Sequence, residues 1–164
     1  MQLDVQANLA LADILGKAYK LAGKTEFQGL SISIETKKGQ TRKGIGTDGK
    51  PWSITMPSDY GYILGTKGKD GQHVDCFIGP NKDSDTVYIV HQHKEDSNVY
   101  DEDKCMLGFD SKEEAVKTYK AAYNIDILQS VDSVPFDKFV EKIFDPKNKG
   151  KKIKIGRETC RERV

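Results

Sequence analysis

At 164 residues, with 37% hydrophobic and 31% charged residues, the chain has the size of one domain and can bury a core without help from disulfides or a structural metal. No run approaches the roughly 18 apolar residues of a membrane-spanning helix, and Met1-Gln2-Leu3-Asp4 opens no basic region followed by an apolar one, so no membrane span is expected and the cytoplasm is, a host's if the gene is viral. Cys76, Cys105 and Cys160 are odd in number and far apart, which excludes a disulfide scaffold and leaves no Cys-x-x-Cys pair for zinc or thiol exchange.

The formal net charge of +1 hides an uneven distribution. Residues 66–110 carry ten acids against five lysines, whereas 147–164 hold eight lysines and arginines against Glu158 and Glu162. A cation site belongs in the middle of such a chain, and a polyanion contact made by charge alone belongs at its end.

In chain order, residues 3–22 place Leu3, Ala7, Leu11, Ile14, Leu15 and Ala18 at helical spacing, predicting an amphipathic helix over 1–24 that packs on the body or on a partner. Alternation replaces that period at Leu30, Ile32 and Ile34, a half-buried strand ended by Lys37-Lys38-Gly39-Gln40. The Asp48-Gly49 turn precedes a strand through Trp52, Ile54 and Met56, and Tyr60 to Ile63 is a short apolar segment before a glycine-rich loop. Val74 to Ile78 and Thr86 to Gln92 are predicted strands. Ser111 and Glu114 have the spacing of a capping box, in which hydroxyl and carboxylate each satisfy an orphan amide, and predict a helix through Ala115, Tyr119 and Ala122. A last helix is expected over 134–144, with Pro135 in its first turn and Phe136, Phe139, Val140, Ile143 and Phe144 as its buried stripe. Residues 147–164 resemble a flexible basic tail. Short strands with helices at the ends suggest an α+β domain, a curved sheet or small barrel with helices outside it.

Asp70 and Asp75 flank a glycine turn that feeds a strand, so their carboxylates can converge although five residues separate them. Hard cations such as Mg²⁺, or Mn²⁺ in its place, take oxygen ligands and keep several waters, so two or three carboxylates from separate segments suffice when a phosphate completes the site. A second acidic cluster, Asp96 to Asp103, can return to the first if the neighbouring strands pair, with Asp101, Glu102 and Asp103 offering a third ligand and Lys104 placed to meet a phosphoryl oxygen. The same residues also suit water-facing hairpin turns. Arg42, a planar fork for phosphate oxygens, shares a basic run with Lys37, Lys38 and Lys43 that equally suits a solvated turn. His91 and His93 share a strand face but would need further ligands to hold zinc, and His73 is placed to orient a carboxylate. Tyr60 reads either as a core aromatic or as a phosphate contact.

Tyr60-Gly61-Tyr62-Ile63, Thr66 and Asp70-Gly71-x-x-x-Asp75 resemble the soluble family I inorganic pyrophosphatases. The resemblance is closer to the pyrophosphatase-like domains of phage and mobile-element (polyvalent) proteins, through Lys50-Pro51-Trp52-Ser53, His73-Val74-Asp75-x-Phe77-Ile78-Gly79-Pro80 and Lys104-x-Met106-Leu107-Gly108-Phe109, and it spans residues 28–144. It implies a small OB-like barrel with flanking helices and Mg²⁺-dependent hydrolysis of pyrophosphate. It further implies Asp70, Asp75, Asp96 and Asp101 as metal ligands with Glu35 as the early acid, and Lys38, Arg42, Tyr60 and Lys104 as phosphate contacts. Lys104 falls three positions after Asp101 where the family has a gap of two. Gln72 stands where the family has a third aspartate that helps activate the attacking water; an amide can hold that water but cannot accept its proton.

The expected function is therefore Mg²⁺-dependent hydrolysis of pyrophosphate or a related phosphoanhydride, with Asp70, Gln72, Asp75, Asp101 and Tyr60 at the reacting centre. The alternative is a catalytically impaired phage or mobile-element factor that binds a nucleotide, nucleic acid or a host protein. Any nucleic-acid contact is expected through 147–164, and any homo-oligomer through the N-terminal helix.

Overall fold

The computed structural model describes residues 23–155. The helix predicted over 3–22, Cys160 and the end of the basic segment lie outside the described residues.

Nine strands and two helices follow in the order β1 (Gly23–Phe27), β2 (Leu30–Thr36), β3 (Thr41–Ile45), β4 (Pro51–Thr55), β5 (Asp59–Ile63), β6 (Val74–Ile78), β7 (Thr86–His93), β8 (Tyr100–Leu107), α1 (Lys112–Ala121), β9 (Leu128–Pro135) and α2 (Phe136–Phe144). A single 3₁₀ turn, Pro146–Asn148, follows. Seven strands form one sheet in the order β1-β2-β5-β6-β8-β7-β9, and β3 pairs with β4 in a separate ribbon. All ladders are antiparallel except that of β6 with β8. The chain is thus a mostly-sheet α+β structure. Its sheet stays open, with β1 and β9 at opposite edges, and so departs from the closed OB-like barrel expected above.

Strand alternation gives the sheet two apolar faces. On one, Ile32, Ile63, Cys76, Ile89 and Leu107 pack beneath Phe139 and Ile143 of α2. On the other, Tyr60, Phe77, Val90 and Met106 pack beneath Ala115 and Tyr119 of α1, with Met56 at the end of the ribbon. Phe77 and Phe139 are fully buried, each such side chain worth about 1.5–3 kcal/mol. Phe144, expected in the α2 stripe, is 40% exposed. Ser111 caps α1 by accepting from the Glu114 amide, as predicted, while the Glu114 carboxylate reaches back to the amide of Asp110, one residue before the expected partner.

Gly61 decides how the central strands meet. A Cβ there would lie 1.9 Å from the Ser33 carbonyl oxygen, so only glycine lets β2 close onto β5 at this register. Tyr60 and Tyr62 on either side of it then stand on one face of the sheet.

Residues 149–155 are not a free tail. The Gly150 amide donates to the Lys67 carbonyl, the Ile153 amide donates to Asp103 Oδ2 at 2.8 Å, and the Ile153 side chain is buried in the α2-side core.

Candidate functional site

β6 and β8 run parallel with Asp75 opposite Lys104, and β5 runs antiparallel to β6 with Tyr62 opposite Asp75. Alternation therefore sets Tyr60, Tyr62, Asp75, Glu102 and Lys104 on the same face, at the edge of the α1-side core. Lys104 is buried, and each of its three N–H donors has a partner: Asp75 Oδ2 at 2.6 Å, Glu102 Oε1 at 2.8 Å and the Tyr60 hydroxyl at 2.9 Å. The Tyr60 hydroxyl in turn donates to Asp75 Oδ2 at 3.0 Å. Bonds between Gly39, Gln40 and Met56 extend the ribbon's own ladder at its base, and the ribbon brings the Arg42 guanidinium carbon to 4.9 Å from the Tyr60 ring centroid.

Just beyond the end of α1, Tyr123 sends its hydroxyl into this cluster, where it is buried and has no hydrogen-bond partner. Its charge interactions run to Lys104, Asp75, Glu102 and Arg42. A buried donor without an acceptor is costly, so this hydroxyl is available to donate to an oxygen brought into the cluster.

The site shifts the groups that form it. Burial opposes the Lys104 ammonium, yet the phenols of Tyr123 and Tyr60 and the carboxylates of Asp75 and Glu102 outweigh it and hold the amine well above its ordinary range. Burial raises Glu102; Lys104 pulls it down, while Asp75 and Asp70 push it further up, and the net shift is upward. Burial is also the first cause of the raised hydroxyls of Tyr60 and Tyr123.

Beside the cluster, Asp70, Asp75, Glu102 and Asp103 line one small pocket with His73, Lys69 and Lys151. Its volume of about 10 Å³ is near the room one water needs. Among the described residues no three His, Cys, Asp or Glu side chains are gathered as a metal site. The chemistry of the donors nevertheless fits Mg²⁺, since Asp70, Asp75 and Glu102 offer only oxygen and leave room for bound water.

The residues singled out from the sequence are only partly brought together. Asp75, Tyr60 and Lys104 form the cluster, Arg42 reaches it, and Asp70 lines the pocket while its Oδ1 accepts from the Gln72 amide in the loop turn. Gln72 is exposed and its side chain is not a wall of the pocket. Asp101 is the unpaired residue at the register shift between β7 and β8, about half-exposed and 3.8 Å from Lys94, and it neither contacts Lys104 nor lines the pocket. Asp96 is exposed in the β7–β8 loop. Lys38 is exposed, with its amide on Asp59 Oδ1, and lines a different cleft. Glu35 lies at the β2 irregularity, near enough to the Cys76 thiol for its charge to help burial raise that group.

The histidines do other work. His91 is buried on the α2-side face with Nδ1 on Asp103 and Nε2 on Asp132, so both nitrogens are committed to carboxylates rather than to zinc. His93 Nδ1 bonds the Lys94 carbonyl, and His73 stacks on Tyr62 at 4.7 Å. Reasoning from the sequence offered Glu102 beside Asp101 and Asp103 as a third ligand without choosing it, and missed Tyr123. The available signals were parity along β8, which pairs Glu102 with Lys104, and the i, i+4 relation of Tyr123 to the buried Tyr119.

A family model described as Inorganic Pyrophosphatase matches residues 12–143. No curated protein matches the chain.

Proposed function

This chain belongs to the inorganic pyrophosphatase family, and from that premise we propose that it hydrolyses pyrophosphate or a closely related phosphoanhydride with Mg²⁺ as its cofactor. The observation that carries the reading is the buried Lys104 held by Asp75, Glu102 and Tyr60, with the unpartnered Tyr123 hydroxyl beside it. Ammonium, phenol and guanidinium on one side and carboxylates on the other are suited to an anion that arrives with a hard cation.

Asp70, Asp75 and Glu102 are the residues that would hold Mg²⁺, which supplies charge neutralisation and a bound water of lowered pKa. Lys104 and Arg42 neutralise the phosphoryl oxygens, and Tyr123 donates to one of them. Tyr60 keeps the Lys104 ammonium and the Asp75 carboxylate in register through its hydroxyl. Water oxygen adds to one phosphorus, the bridging P–O bond breaks, and the second phosphate leaves with the bridging oxygen and the proton that the water gives up. Gln72 stands outside the pocket and its amide cannot take that water's proton, which predicts turnover slower than an aspartate there would give. Glu102, rather than Asp101, is the third carboxylate, because it shares the face of Asp75 and sits two residues before Lys104. The motifs shared with phage and mobile-element proteins support that branch of the family.

Gln72 favours a second reading, a phosphate-binding factor without turnover. Purified full-length protein is incubated with pyrophosphate and Mg²⁺ beside Asp75→Asn. The first reading expects phosphate release by the parent protein and its loss in the variant. Equal release by both, or none by either, rejects hydrolysis; retained pyrophosphate binding in the latter case leaves the second.

A further inference from the structure

A second cleft opens on the far side of the acidic pocket, with a volume of about 440 Å³, within the size range of small-molecule sites. Its walls include Lys69, Tyr100, Asn148, Lys151, Lys152 and Lys154. Two ammoniums sit over one ring: Lys69 Nζ lies 5.2 Å and Lys152 Nζ 5.0 Å from the Tyr100 centroid. None of the four lysines forms an ion pair among the described residues. Like charges converge here without a paired carboxylate among the described residues, which is the electrostatic complement of an anion.

The cleft is built by the fold. Gly150 is bonded to Lys67, and the buried Ile153 is held to Asp103, so Lys152 and Lys154 on either side of it are fixed against β8 and the acidic loop. Lys69 and Lys151 line both the acidic pocket and this cleft. The two therefore open beside one another.

We propose that the basic cleft is an anion subsite for the distal phosphate of a linear polyphosphate chain of three or more phosphoryl groups, inorganic or borne on a nucleoside. The proposal rests on the hydrolase reading above and extends its substrate beyond pyrophosphate. Water adds to the phosphorus held in the acidic site, the bridging P–O bond next to it breaks, and triphosphate plus water gives pyrophosphate and orthophosphate.

The test compares the full chain with Lys152→Ala/Lys154→Ala, using pyrophosphate, inorganic tripolyphosphate and adenosine triphosphate. Phosphate release with Mg²⁺ is one readout, and calorimetric binding of tripolyphosphate in chelator, where no turnover occurs, is the other. The double variant is expected to lose about tenfold in kcat/KM on tripolyphosphate, through KM, with pyrophosphate unchanged, and to lose tripolyphosphate binding in chelator by a similar factor. Parallel loss on adenosine triphosphate identifies the shared phosphate chain as the determinant; loss on tripolyphosphate alone restricts the subsite to inorganic chains. Lys152→Glu, with its thermal melt alongside, must move binding in the same direction. Unchanged tripolyphosphate binding in both variants, or equal loss on pyrophosphate, overturns the subsite. So does lysine-dependent capture of a single-stranded oligonucleotide without tripolyphosphate binding. If the parent protein releases phosphate from no substrate, the hydrolase reading fails by itself and the chelator binding still decides the subsite.

Discussion

Replacing Tyr123 by phenylalanine should make the protein more stable and less active at once. The lost hydroxyl is buried without a partner beside Lys104. An unsatisfied buried polar group costs about 1–3 kcal/mol. Deleting it while keeping the ring, which packs against Tyr119 at 4.9 Å, should recover about 1 kcal/mol, or about 2–4 °C in Tm for a chain of this size. With phosphate bound, the same hydroxyl would donate to a charged oxygen, a bond worth about 1.5–3 kcal/mol, so kcat/KM should fall by about ten- to a hundredfold. Tyr119→Phe is the matched control. Its hydroxyl accepts from Gln92 Nε2 at 2.7 Å, and its loss leaves a buried donor unpaired, costing about 1–2 kcal/mol with little effect on turnover. Thermal melts in metal-free buffer and phosphate release with Mg²⁺ provide the two axes. A Tyr123→Phe protein that melts lower and hydrolyses normally would refute the reasoning, because the hydroxyl would then be a structural donor like that of Tyr119.

Lys104→Met removes the cation between two carboxylates that are each about one quarter exposed, so the cost should lie near the low end for a broken buried pair, about 3 kcal/mol. Added Mg²⁺ should restore part of it in melts of the variant, and indifference to Mg²⁺ counts against a cation site. Glu102→Gln should reduce phosphate release by at least tenfold whereas Asp101→Asn leaves it within about twofold, and the reverse order would return the third ligand to Asp101. For His91, burial acts downward, but bonds to Asp103 and Asp132 outweigh it and the folded pKa is raised. Its contribution is thus complete below about pH 6.5, the unfolded value, and fades as pH climbs through the folded value, at up to about 1.4 kcal/mol per pH unit. Melts from pH 5.5 to 8.5 should show this slope in the parent and not in His91→Gln.

The legible parts of the fold were those whose pattern repeats within one element. β2, β4, β6 and β7, the Ser111 cap and the Phe139–Ile143 face of α2 all follow from alternation, capping chemistry or helical spacing. β1 escaped because four of its five residues are exposed at a sheet edge, so no apolar alternation records it. β8 read as an acidic loop because its first half, Tyr100 to Asp103, carries charge on both faces; the partners that make those charges tolerable, His91 and Lys104, become visible only once β7 and β8 pair. The same blind spot governed the site. Asp75, Tyr60 and Lys104 could be named from motifs, but choosing Glu102 over Asp101 needs the strand pairing and the register shift that falls at Asp101, and Tyr123 needs the position of α1 above the sheet.

Charge balance around Lys104 leads to a last expectation. Asp75 and Glu102 together outnumber the one ammonium they share, and Asp70 and Asp103 add further negative charge to the adjoining pocket. A pyrophosphate anion approaching that pocket alone meets four carboxylates against the ammoniums of Lys104, Lys69 and Lys151, with Arg42 beside the Tyr60 ring, and so meets net negative charge at the pocket wall. A divalent cation bound first, or carried in by the anion, reverses the sign. Pyrophosphate binding should therefore be weak in chelator and strengthen at least tenfold in millimolar Mg²⁺, as measured by calorimetry on the full chain with a nonhydrolysable diphosphate. Longer chains, which can anchor on the lysines around Tyr100, should depend less steeply on the cation. Identical affinity with and without Mg²⁺ would mean that Lys104 and Arg42 alone carry the anion, and that the carboxylates serve only to position the lysine.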